Sequence, residues 1–151
     1  MAHKAIEIAN RIIALSNPEF GDLMSNLKLQ KLLYYVQGFS LAMYDKPIFD
    51  EDIYAWQYGP VVQEAYYRFK KYGSGHIEIK EEDYEKYYIE LSTEEKELIC
   101  DVWDAYGQYS AFRLMEFTHE EYPWRATKIN DVITHDKLKK YFITQITEIR
   151  N

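Results

Sequence analysis

One cysteine, Cys100, stands in the 151 residues, so the fold cannot rest on an internal disulfide. It falls in the apolar stretch Leu98-Ile99-Cys100 and reads as a small buried hydrophobe. Six glycines and four prolines are too few and too scattered to make a flexible linker, and no segment repeats. No apolar run approaches the roughly eighteen residues of a membrane span. The opening Met1-Ala2-His3-Lys4 leads straight into an amphipathic pattern with no signal-peptide core, so a cytoplasmic location is expected. Basic residues are short as well: 18 Lys and Arg against 25 Asp and Glu, a net charge of −7. A generic nucleic-acid binder needs a basic face to release counterions, so this balance disfavours one. The four histidines, His3, His76, His119 and His135, share no metal-binding spacing, and no cofactor motif is present.

What the chain has in plenty is tyrosine. Fifteen of them lift the aromatic share to 17%, within an apolar fraction of 47%. A core of this size cannot satisfy so many buried hydroxyls, so some tyrosines are expected at the surface, where they make efficient contact residues. The length fits one domain, spanning residues 1–151.

Periodicity predicts a mainly α fold, a compact bundle of about six helices with one or two short β segments. Ala5, Ile8, Ala9 and Ile12 mark a first helix that Asn17-Pro18 ends. A second is expected over 26–44, capped by Ser25, with Leu29, Leu32, Leu33, Val36, Phe39 and Met43 as its buried stripe. Gly38 inside it implies a bend or a closely packed neighbour. Alternation over 48–58 suggests an extended segment, after which Gly59-Pro60 is expected to open a helix with Pro60 at its first position. That helix carries Val62, Ala65, Tyr66 and Phe69, and Gly73 stops it. A short strand is expected at 76–80, and Glu81-Glu82-Asp83 reads as a solvated loop. Ser92 and Glu95 form a capping box before a helix bearing Ile99, Val102, Trp103 and Tyr106. Ser110 and Thr134 cap two more, the last burying Leu138, Phe142, Ile146 and Ile149.

Catalytic chemistry finds little support. There is no phosphate loop and no nucleophile elbow, and the His135-Asp136 dipeptide lacks further metal ligands. His119 lies beside Glu120 and Glu121, but neighbours on a helix point apart, and no nucleophile completes a site. The simpler reading is that Thr118, His119 and Trp124 organise a helix-end turn, His119 bonding a free carbonyl. A helix-turn-helix over 103–124 would carry only Arg113 before turning acidic, which is unsuited to phosphates.

Three blocks, taken together, resemble a known family. They are Leu27-Lys28-Leu29-Gln30-Lys31-Leu32-Leu33-Tyr34-Tyr35-x-Gln37-Gly38; Ala55-Trp56-x-Tyr58-Gly59-Pro60-Val61-Val62 with Tyr66, Phe69, Tyr72 and Gly73; and Ser110-x3-Leu114-x3-Thr118-His119-x3-Pro123-Trp124. Their order and spacing are similar to the Panacea domain, the antitoxin domain of SocA-like and phage-associated GepA-like proteins. The resemblance implies an antitoxin with no reaction of its own, neutralising by direct contact a protein toxin encoded nearby. In the SocA branch it also implies an adaptor that delivers the toxin to a ClpXP-type protease. Relatives often carry an added DNA-binding domain, for which this chain has no room, so autoregulation is not expected. The alternative is a phage- or prophage-linked regulator contacting DNA or host transcription machinery; a hydrolase built on His119 ranks last.

The partner-binding candidates follow from the blocks. With the core stripe inward, Lys28, Lys31, Tyr35 and Gln37 are expected on other faces of the second helix. Trp56, Tyr58, Pro60, Tyr66 and Tyr72 cluster about the extended segment and third helix, and His119 and Trp124 close the third block. Trp56, Pro60 and Trp124 also have the character of packing residues. An aromatic face with acidic rim residues steering a basic partner is the expected mode of contact.

Overall fold

A computed structural model describes residues 2–150. Helix α1 (Ala5–Ile13) is followed by a 3₁₀ turn and by α2 (Asn26–Tyr44). A hairpin of β1 (Ile53–Trp56) and β2 (Gly59–Val61) leads into α3 (Gln63–Phe69). Then come α4 (Glu81–Tyr87), α5 (Thr93–Tyr106), α6 (Ala111–Glu120) and the single turn α7 (Tyr122–Arg125). The two-residue strand β3 (Val132–Ile133) and α8 (His135–Phe142) complete the order. The fold is mainly helical, with one small antiparallel sheet in the order β2-β1-β3.

Local chemistry sets these boundaries. The side chains of Ser25, Ser92, Ser110 and Thr134 each accept from the backbone N–H three residues on. Each thereby satisfies a donor that the helix start leaves free. Ser92 and Glu95 form the reciprocal capping box.

Helix α2 is the axis of the molecule: α1, α5, α6, α8 and β2 all pack on it. Its residues from Lys28 to Leu41 are buried without interruption, so it has no outer face. This corrects the amphipathic expectation for its polar residues. Gly38 shows why such a helix needs a gap, because a Cβ there would run into the ring of Phe142 on α8.

Several boundaries differ from those predicted. Pro60 does not start a helix; it lies in β2 opposite Ala55. Ala55 sends both its backbone bonds the other way, its N–H to Asp131 and its carbonyl to the N–H of Asn130. The Ala55–Pro60 pair therefore needs no donor from proline, and β2 is an edge strand. Residues 76–80 join no strand, and the acidic run opens α4, whose Asp83 pairs with Arg68 at 2.9 Å. Among the described residues eight α-helices stand where about six were expected, and α8 stops at Phe142, leaving Ile146 in a separate 3₁₀ turn. Cys100 is exposed, because Leu98, Ile99 and Val102 take the core side of α5.

Candidate functional site

The polar members of the first block are internal staples. Lys28 Nζ donates to the Gly107 carbonyl at the end of α5, at 2.6 Å. Gln37 fixes residues 48 and 49: its amide donates to the Phe49 carbonyl and its oxygen accepts from the Ile48 N–H, both at 2.9 Å. Tyr34 and Tyr35 each donate to a carboxylate oxygen of Glu121 at 2.9 Å. All four of these α2 side chains, together with Lys31, are buried. Lys28, Lys31, Tyr35 and Gln37 are therefore absent from any contact surface, contrary to expectation. The reason is that α1, α5, α6, α8 and β2 all pack around α2.

Two of the staples hold the hairpin. Lys31 Nζ donates to the Pro60 carbonyl at 3.0 Å, and Gln30 Oε1 accepts from the Val62 N–H at 2.9 Å. Gly59 sits at φ +107°, where an added Cβ would lie 2.6 Å from Lys31 Cε and 2.8 Å from Thr118 Oγ1. Only glycine meets both demands. Lys31 has no carboxylate beside it, and burial alone lowers its pKa to about 7.

The third block grips the hairpin as well. Trp124 Nε1 donates to the Trp56 carbonyl at 2.8 Å, and His119 Nε2 donates to the Gln57 carbonyl at 3.0 Å. The two rings lie together, their centroids 4.2 Å apart. His119 does bond a carbonyl, but in the hairpin and not at the helix end where the sequence placed it. All three blocks thus converge on residues 56–62.

The pinned hairpin forms one wall of an open groove of about 1070 Å³. Trp56 and Tyr58 of the hairpin line it together with Tyr66 of α3; Phe112 and Met115 of α6, Leu27 and Ile129 line it too. Phe112 is 63% exposed, Tyr58 61% and Ile129 45%, an unusual concentration of apolar surface. Lys70 is the one charged residue lining it among those described, and no carboxylate does. No carboxylate of the expected acidic rim lines the groove itself. Of the other candidates, Pro60 is buried, and Tyr72 lies outside the groove, its hydroxyl donating to the Glu78 carbonyl at 2.8 Å.

Phe112, Met115 and Ile129 escaped the sequence reading. Phe112 carried a usable signal: it follows the Ser110 cap yet falls off the face that Leu114 and Thr118 bury on α6. Glu121 was also missed as a structural centre. Burial raises its pKa to about 7, against the bonds from Tyr35, Tyr34 and Tyr141 that pull it down. Among the described residues, no group of three or more His, Cys, Asp and Glu is placed to hold a metal. No helix there is long and apolar enough to cross a membrane.

These features define a mainly helical domain whose aromatic hairpin is held rigidly beside an open apolar groove. The chain belongs to the antitoxin SocA-like, Panacea domain family, whose model matches residues 29–125. That stretch contains both partners of the four side-chain bonds that pin the hairpin, from Gln30 and Lys31 to Trp124. No curated protein and no solved structure matches the chain.

Proposed function

We propose that this chain is an antitoxin that neutralises a protein toxin, encoded nearby, by binding it directly through the groove beside the hairpin, without catalysing a reaction. The observation that carries this reading is the exposure of Tyr58, Phe112 and Ile129 around one groove in a chain of an antitoxin family. A cluster of exposed large apolar side chains marks a surface that a partner covers, and aromatic rings dominate the energy of such contacts. The internal bonds support it too, because a hairpin fixed in advance loses little conformational entropy on binding.

The test is co-expression with the product of the adjacent gene, scoring growth and then co-elution. The neighbour is expected to stop growth alone, and this chain is expected to restore growth and to co-elute with it. Phe112→Asp, at an exposed position, is expected to abolish both while leaving the fold intact. Rescue that survives Phe112→Asp refutes the groove as the contact face. Rescue that requires a ClpXP-type protease would make the chain an adaptor. A harmless neighbour would remove the antitoxin reading itself.

A further inference from the structure

Across α6 from the groove lies a second cleft, of about 600 Å³. Phe112 and Met115 face the groove, whereas Phe117 and Glu120 of the same helix face this cleft. Aromatic rings line it, those of Tyr106, Tyr109, Phe117 and Tyr141, together with the carboxylates of Glu120, Glu121 and Glu148. Among the described residues no lysine or arginine lines it.

Glu121 is the most enclosed of the three acids. Its oxygens accept from the hydroxyls of Tyr34 and Tyr35, each at 2.9 Å, and Tyr141 bonds to it as well. These partners are neutral, so a carboxylate largely removed from water has no counter-cation. That arrangement is costly until a cation or a proton arrives. Tyr106 is held in place by stacking on Tyr35, with centroids 4.0 Å apart and planes 9° from parallel. Tyr109 meets Phe117 edge to face at 5.0 Å. Fixed aromatic faces beside carboxylates suit a guanidinium, which is planar and weakly hydrated, stacks on rings and bonds carboxylates in pairs.

We propose that this cleft is a binding site for an arginine side chain of a protein partner, its guanidinium meeting Glu121 and Glu148 among the rings of Tyr106 and Tyr141. That the arginine belongs to the toxin rests on the antitoxin reading; the chemistry of the cleft does not. The partner would then span α6, setting an apolar surface into the groove and a basic side chain into the cleft.

The test needs no toxin, so its failure is distinct from failure of the antitoxin reading. The full chain, isotope-labelled, is titrated with N-acetyl-arginine amide and, as an uncharged control, N-acetyl-norleucine amide. Saturable shifts of the backbone amides at 105–109, 117–121 and 141–148 are expected with the arginine compound alone. Affinity is expected to fall at least fivefold in Glu148→Gln and in Glu121→Gln. Should Glu121→Gln fail to fold, the double variant Glu120→Gln/Glu148→Gln, altered at exposed positions, decides. The proposal is overturned by an unsaturable response, by an equal response to norleucine amide, or by affinity unchanged in the carboxamide variants.

Discussion

Lys31 and Glu121 are buried titratable groups that lie on opposite sides of neutrality in what they need. Glu121, ordinarily near 4.5, is raised to about 7 chiefly by desolvation, so the folded chain keeps a proton that the unfolded chain has lost. Its contribution to stability is full below about pH 4.5 and is lost as pH rises through 7. Lys31 is lowered from 10.5 to about 7, so the unfolded chain holds the extra proton. Its contribution is full above 10.5 and is lost as pH falls through 7. Together the two groups place a dip in stability near pH 7. Urea midpoints measured from pH 5 to 10 should show this dip, with limbs on the order of 1–3 kcal/mol. Glu121→Gln should flatten the limb below pH 7 and Lys31→Met the limb above it, even though the Met variant leaves the Pro60 carbonyl without its donor. A pH slope unchanged in either variant would show that the corresponding group does not titrate as described.

At the scale of elements, what was legible in the sequence was local. The caps Ser25, Ser92, Ser110 and Thr134 each stand at the helix start their side chains mark, because a cap acts within three residues. The span of α2 was legible for the same reason, but its environment was not. Lys28, Lys31 and Gln37 look like surface residues until loops distant in sequence supply carbonyls for them. Pro60 misled because a proline after glycine commonly opens a helix. Only the bonding of Ala55 toward residues 130–131 shows that a strand tolerates it there. Gly38 was correctly suspected of a close neighbour, which is Phe142. Gly38→Ala is therefore expected to destabilise by about 1–3 kcal/mol in chemical denaturation, since the ring must move within a full core. The hairpin makes a separate prediction. Trp124→Phe removes the donor to the Trp56 carbonyl and should speed hydrogen exchange across residues 56–61 by several-fold, leaving α5 unaffected. Uniform acceleration would mean that Trp124 supports the whole fold and not the hairpin in particular.

Over the whole molecule, three segments far apart in sequence fix one short hairpin, and the surface beside it remains apolar. Much of the polar character of the family blocks is spent inside, on carbonyls and N–H groups that would otherwise be buried without partners. The aromatic excess divides along the same line: Tyr34 and Tyr35 are buried, whereas Tyr58 and Phe112 are left in water. The sequence led to the expectation of an aromatic contact face that includes Trp56, Tyr58 and Tyr66, and these three line one groove. It could not supply the rest of the lining, because only the packing of α6 brings Phe112 and Met115 to the same groove. Hydrogen–deuterium exchange of the chain, free and bound to the proposed toxin, tests the central claim most directly. Protection is expected at residues 56–67 and 111–115, with the first turn of α2 and the surroundings of Ile129. Protection confined to α1, α4 or the exposed side of α5, with the groove unchanged, would contradict it.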